Sequence, residues 1–585
     1  LLIATRDHVA FRHELARRAW EDSLEPGRAA DLHARVLHAL EKESGSASLL
    51  PRQVHHADRS GDGAKVLRLA PLAAREAASL GAHREAAAHY ESALRYAGTA
   101  EPTVRAALLD AWSYEVHLGG RIREAMQARA NALEIWRQIG DLHREGDALR
   151  WLSRLAWFEG QRDQAAAYAI EAIRVLEPLG PSHELAMAYS TRAQLHVLAE
   201  ERHLAPEWGD RAVAMAEALN DPEALVHALT NAACLEPGSA RELQVRAVRL
   251  AQEHGLHEHA LRAFTWLISD AITELDFALA SQFVAEAVEY AEERDIDTFA
   301  LYLRGWRARM HADQGRLDEA AAEAEDILWR DHLSTVVRLP ALAALATVRT
   351  RRGHPGAQEI LDEALERALS TGELQRIAPV ALARAEAAWL RNQPEQVHTE
   401  IMHAFALALR ANSLWDIGRL AIWLRRIDAL DETPAGLPDP FAAQLAGRWR
   451  EAADAWARIG CPYEQALALA EGDEPAQREA LSILDALDAK PAAALVRSRL
   501  VRSGARGLPR GPRSSTRANP AHLTNRQLDV LALLAKGLSN KEIGRRLFLS
   551  TRTVEHHVVA LLRKLNTDNR SGVARIAREM GLLEN

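Results

Sequence analysis

The sequence predicts an all-α protein: a solenoid of helical hairpins about 39 residues long, followed by a small four-helix domain. Three observations carry this expectation. A six-residue pattern, Gly-x-x-[Arg/Asp]-[Glu/Gln]-Ala, recurs along the body of the chain. The apolar residues between its copies follow helical spacing, and alternating Val/Ile/Thr runs are lacking. Near the C-terminus, hydroxyl residues stand three positions ahead of Gln or Glu before apolar stripes, which is how capped helices begin.

The chain opens without an initiating Met. Leu1 to Phe11 reads as a β-hairpin wing and Arg12 to Ala19 as a helix, giving a small winged-helix-like remnant over residues 1–50. The repeats occupy 51–496. The six-residue pattern stands at Gly81, Gly120, Gly160, Gly315 and Gly447, the first three separated by 39 and 40 residues. Weaker echoes at Ala199, Gly238, Asp276, Gly353 and Asn392 keep the period until the Pro/Gly-rich stretch 431–440 interrupts it. Each unit reads as a helix, a turn at the Gly, and a second helix. Ala86, Tyr90, Ala93, Leu94 and Ala97 form one stripe after Gly81, and Ala320, Ala324, Ile327 and Leu328 repeat it after Gly315. A lone hairpin cannot bury such a face, so stacked units must share a continuous core.

Residues 497–521 form a basic tether. From Arg497 to Pro520 there are seven arginines and no acid, with Pro509, Pro512 and Pro520 among glycines and serines. Such a composition cannot bury enough apolar area to offset its ordering entropy. Its arginines either add sequence-independent grip on DNA or are simply solvated.

The last domain, 522–585, begins at the capping box Thr524–Gln527, puts Leu528, Leu531, Leu534 and Ala535 on one face, and stops at Gly537. A second box, Ser539–Glu542, opens a short helix with Ile543 and Leu547 inward. Ser550 then caps a third, carrying Val554, Val558, Leu561 and Leu565. Two helices joined by a tight turn make a helix-turn-helix, whose second member enters the major groove of DNA.

The ordered elements Leu-Thr-x-Arg (523–526), Ser-Asn-Lys-Glu-Ile (539–543), Thr-Val-x-x-His (553–557) and Lys564-Leu565 resemble the DNA-binding domain of the LuxR/GerE family of bacterial transcription regulators. Gln527 stands where that family usually has Glu. The resemblance implies base contacts by Glu555, His556 and Val559, since Glu accepts from cytosine N4, Val packs on the thymine methyl, and His donates or accepts. It implies phosphate contacts by Asn540, Lys541, Thr551, Arg552, Thr553, Arg563 and Lys564. His557 either joins the groove face or packs on a neighbouring helix. The resemblance further implies RNA polymerase as a partner, a homodimer on DNA, and a dimer contact on the last helix through Val573, Ile576, Ala577 and Met580.

Charge agrees with this division. Residues 497–585 hold eighteen Lys and Arg against six Asp and Glu, a net +12, which leaves −21 on the rest of a chain whose total is −9. The basic tail suits phosphate neutralisation, whereas the acidic body would be repelled by DNA.

The repeats look like tetratricopeptide-type units, although 39 residues exceeds the usual 34, and their length resembles the sensor superhelix of large LuxR-type activators. That likeness implies a ligand or protein signal on the concave face. Trp151, Trp157 and Trp266 are either stacking platforms or core filling; the chain holds 14 Trp against 9 Phe and 8 Tyr. Phe11 to Arg17 and Leu32 to Val36 resemble the end of the nucleotide-binding module in large ATP-binding LuxR regulators, with His13 read as a surface residue. No Gly-x-x-x-x-Gly-Lys-[Ser/Thr] occurs, so no cofactor is expected here, and ATP only if a module precedes Leu1. The chain therefore reads as a fragment or a truncated gene product.

No metal is expected. His254, His257 and His259 lack a completing ligand set, and His55-His56 is a lone pair. No hydrolase elbow or His-Glu-x-x-His appears, so no enzyme is expected. Cys234 and Cys461 fit a reducing compartment. With neither a signal peptide nor a long uncharged apolar run, the expectation is a cytoplasmic, nucleoid-associated regulator with no membrane contact. Its alternative is a repeat scaffold that grips DNA weakly or without sequence preference.

Overall fold

The computed structural model describes the chain except for residues 1, 5–8, 12, 43–48, 233–239, 507–522, 566, 568–569, 581 and 583–585. It divides into two compact units, Leu1–Val496 and Arg497–Asn585. Gly238, Cys234 and residues 507–521 of the expected tether lie outside the described residues.

In the first unit, strands Leu2–Ala4 and Val9–Phe11 pair antiparallel, Leu2 opposite Phe11, and a helix Glu14–Asp22 follows. From there the unit is helical. Hairpins such as Gly63–Ser79 with His83–Tyr96, Leu142–Phe158 with Arg162–Leu176, and Asp297–Asp313 with Leu317–Leu328 stack on one another in sequence order. The stripe residues Ala86, Tyr90, Ala93, Ala320, Ala324 and Ile327 are all buried.

The repeat is fixed by one backbone conformation. Gly81, Gly120, Gly160, Gly315 and Gly447 adopt φ of 77°, 85°, 77°, 75° and 76°, and Gly353 and Asn392 follow at 67° and 59°. At the echoes Ala199 and Asp276 the left-handed residue is the neighbour, Glu200 at 61° and Leu275 at 60°. The sequence register was therefore one residue off at these two turns, and each costs about 1–2 kcal/mol that glycine would spare. The reversed turn lets amides close the preceding helix: Gln161 N–H donates to Ala156 O at 2.9 Å and Arg316 N–H to His311 O at 2.8 Å.

A simple solenoid touches only its nearest neighbours, but this one also touches itself one winding on. Arg84 forks onto Asp297 at 2.8 and 3.1 Å across 213 residues. Trp157 Nε1 donates to Glu373 at 2.6 Å across 216, and Thr298 Oγ1 to the His117 carbonyl across 181. Helix Asp297–Asp313 is enclosed in this way, which removes its amphipathic pattern: Phe299 through Leu303 are buried without interruption. The interior of the unit is charged as well as apolar, with buried pairs Arg154–Glu258, Arg351–Glu386 and Arg376–Glu373.

The 431–440 segment separates helix Leu414–Arg426 from the short helix Phe441–Leu445. Lys490–Arg502 is a single helix, so the first six residues assigned to the tether are helical instead. The reason is local: no breaker intervenes before Gly504, which takes φ 86° while Ala505 N–H donates back to Leu500 O at 3.0 Å. Among the described residues, no helix is long and apolar enough to cross a membrane.

Candidate nucleic-acid interface

Among the described residues after 522, the second unit holds four helices: α1 Asn525–Ala535, α2 Asn540–Leu547, α3 Thr551–Lys564 and α4 Arg570–Glu579. Both capping boxes form. Gln527 N–H donates to Thr524 Oγ1 at 3.2 Å and Thr524 N–H to Gln527 Oε1 at 3.0 Å; Ser539 N–H donates to Glu542 Oε2 at 2.7 Å. The Ser539 hydroxyl, donating at 2.6 Å, and then the Ser539 amide hold the Glu542 carboxyl below its ordinary range. Gly537 ends α1 at φ 80°, and Ser550 Oγ accepts from Thr553 N–H at 3.1 Å to start α3.

The turn between α2 and α3 depends on Gly544. A Cβ there would stand 2.7 Å from the Leu549 carbonyl oxygen, and the close approach lets Leu549 N–H donate to Gly544 O at 2.8 Å. Phe548 completes the turn at φ 55° with its ring 95% exposed. Leu531, Leu534, Ile543, Val554, Val558, Leu561 and Leu565 form the core beneath it.

With that stripe inward, the opposite face of α3 is open. Glu555 and His556 are exposed and Val559 is 65% exposed, at the i, i+1 and i+4 positions of one face. His557 is only half-buried. Thr551 and Arg552 are exposed at the N-terminus of α3, Lys541 is exposed on α2, and Asn540 and Thr553 are partly covered. The Arg563 side chain lies outside the described residues. Arg545 and Arg546 are exposed in the last turn of α2, cations that the motif comparison passed over although their spacing shows in the sequence.

Lys564 Nζ donates to Gln527 Oε1 at 3.0 Å while the residue itself is exposed. Gln527 thus does more than cap α1: its one oxygen serves both the Thr524 amide and Lys564. The expected dimer stripe turns inward. Val573 and Ala577 are fully buried in the domain core and Ile576 packs against it, because α4 lies on α1 and spends its apolar face there; Met580 is 38% exposed.

In the repeat unit, Trp157 and Trp266 line one cavity with Tyr302 and the guanidinium groups of Arg154, Arg262 and Arg376. Trp151 lies apart, with Arg150 stacked 4.6 Å from its ring and Tyr114 edge-on. The histidines behave differently from the expectation. His33 joins His55 and His56, its Nδ1 2.8 Å from that of His56, so the pair is not alone. Burial, then the neighbouring His55 and His33, push His56 down to about 4. Arg52 and Arg59 add positive charge around this trio, which opposes a further cation. His257 bonds to Tyr290 and His259 to Glu223, so that group is divided among separate partners. Cys461 is buried and its thiol is pushed well up, which leaves it unreactive.

The second unit is thus a four-helix DNA-binding domain of helix-turn-helix type. Residues 521–577 match the family model "Bacterial regulatory proteins, luxR family", and this region is a LuxR-type domain. Transcriptional regulatory protein LiaR of Bacillus subtilis (strain 168) is 39% identical over 79 residues, 14% of this chain and 33% of that one. Oxygen regulatory protein NreC of Staphylococcus carnosus (strain TM300) is 40% identical over 62 residues, 11% of this chain and 29% of that one. The chain therefore spans about a third of the length of the curated relatives it matches. A solved structure of Naa15/Naa10 bound to HypK-THB overlaps 94% of this chain and 92% of that one at 14% identity with a TM-score of 0.18, too slight to carry a fold assignment.

Proposed function

We propose that the chain is a sequence-specific DNA-binding transcription regulator that lays α3 in the major groove of a promoter site. The single observation that carries this is the open face of α3, where Glu555, His556 and Val559 project from a helix whose other side is locked into the core. An exposed Val beside a carboxylate and an imidazole is poor surface design for solubility and good design for reading base edges. Lys541, Thr551, Arg552 and Thr553, with Asn540 and Arg563, hold phosphates around it, joined by Arg545 and Arg546. The chain pairs on DNA across the end of α4 at Met580, engages RNA polymerase, and works in the bacterial cytoplasm. The repeat unit receives the signal in its interior, where Trp157 and Trp266 meet.

Footprinting with the full chain tests the reading. A discrete protected site supports it. Uniform, salt-sensitive protection that ignores sequence overturns it in favour of a repeat scaffold that grips DNA non-specifically.

A further inference from the structure

Three imidazoles meet where helix Pro26–Lys42 packs on helix Leu50–Ser60, His33 from the first and His55 and His56 from the second. One ligating nitrogen from each lies within 4.8 Å of the other two, and the Nδ1 atoms of His33 and His56 are 2.8 Å apart. The ring centroids of His33 and His55, His33 and His56, and His55 and His56 stand 5.6, 5.0 and 5.1 Å apart. The His55 ring is turned 76° from each of the other two, so the rings fan out while their nitrogens converge. Packing alone gives no reason for His55 to join, since it is exposed.

These separations are those of ligands on a shared ion. With bonds of about 2.0–2.1 Å, two nitrogens on one metal stand roughly 2.9 Å apart at a right angle and roughly 3.3 Å apart at a tetrahedral one. The centroids of the two rings are then roughly 4.5–5.2 Å apart. The 2.8 Å between His33 and His56 matches the right-angled value, two of the three centroid separations fall inside the range, and the third, 5.6 Å, lies just beyond it. All-imidazole sites suit nickel, copper and zinc, whereas magnesium and calcium ask for oxygen ligands. Arg52 and Arg59 oppose a cation, but both are exposed, so solvent and salt screen them. Glu21, joined to Arg17, puts a negative charge close enough to act on His33 and His56 alike.

We propose that His33, His55 and His56 bind one divalent transition-metal ion of the nickel, copper and zinc group, with the remaining coordination positions left to water. Bound there, the ion clips helix Pro26–Lys42 to helix Leu50–Ser60 across a sequence separation of 23 and stabilises this end of the unit by mass action, because the unfolded chain does not hold the three rings together. The site stands whether or not the chain reads DNA.

The test uses the full chain without a histidine tag, stripped with EDTA, desalted, and titrated with nickel, zinc and magnesium chloride by isothermal calorimetry. Nickel and zinc are expected to bind at one ion per chain with a Kd on the order of micromolar or below, and magnesium not. His33→Ala, His55→Ala and His56→Ala should each weaken binding by at least about tenfold, the smallest loss that removing even an outer partner of a metal ligand causes. His254→Ala, exposed elsewhere on the unit, should leave it unchanged. Electron paramagnetic resonance of the chain loaded with one copper(II) should show coupling to three nitrogens, and to fewer in each of the three variants. Absence of saturable one-to-one binding, equal binding of magnesium, or an affinity and copper spectrum unchanged in all three variants overturns the proposal. If His33→Ala or His56→Ala fails to fold, the variant at exposed His55 and the nitrogen count of the parent chain decide.

Discussion

Breaking the Arg154–Glu258 pair offers the sharpest test of how the repeat interior is held. The two side chains are 7% and 4% exposed and join hairpins 104 residues apart. Burial pushes the Glu258 carboxyl up, but Arg154, His259, His117 and Arg262 outweigh it and hold the group at about 2 against 4.5 when unfolded. That difference is worth about 3 kcal/mol at neutral pH. The folded value is the lower one, so the stabilisation is complete above pH 4.5 and disappears as pH falls towards 2. Glu258→Gln and Arg154→Met should each cost about 3–5 kcal/mol, because each strands a buried charge or its polar partner. The double variant should cost less than either alone. Urea unfolding of the four proteins, read by far-UV circular dichroism at pH 7 and again at pH 3, measures this. A double variant that loses the sum of the two singles, or a Glu258→Gln deficit that does not shrink in acid, would refute the reasoning.

Other outcomes follow from the same structure. Gly544→Ala should destabilise the DNA-binding domain by about 1–3 kcal/mol, since the added Cβ meets the Leu549 carbonyl at 2.7 Å; differential scanning calorimetry should show the loss in that domain's transition alone. His117 is fully buried between Trp151 and Phe158 and is held near 3 by burial and Arg154, so the native state refuses a proton that the unfolded chain accepts below 6.5. His117→Phe should therefore recover about 2 kcal/mol at pH 5 and nothing at pH 8, measured as the change in urea midpoint. Arg552→Ala should weaken binding to every DNA sequence and lower the salt slope by about one, whereas Val559→Lys should change which base pairs are preferred in a selection experiment. Lys564→Ala, whose ammonium is engaged with Gln527, should lower the domain's melting temperature with little change in the salt slope.

The features that were legible in the sequence are those written locally. Capping boxes at Thr524 and Ser539, the stop at Gly537 and the reversed turns at Gly81, Gly120, Gly160 and Gly315 are each decided by a few adjacent residues, and each formed. The inward stripe of α3 was equally readable, and with it the open face at Glu555, His556 and Val559. Features that depend on what an apolar stripe meets were not. Val573 and Ala577 have the spacing of a packing face, and spacing is the same whether the partner is another molecule or α1 of the same domain. The meeting of His33 with His55 and His56, and of Trp157 with Trp266, depends on how helices stack, which no residue near them records.

The self-contact of the repeat unit one winding on changes how it should come apart. Nearest-neighbour stacking alone would let hairpins peel from an end one at a time, each leaving the rest intact. Here the hairpin at Arg84 is riveted to that at Asp297, and Trp157 to Glu373, so removing a terminal hairpin also unfastens one some two hundred residues away. Truncation from either end should thus lose stability in leaps of a full coil, and force applied to the unit should find a bolted spring that holds and then yields abruptly.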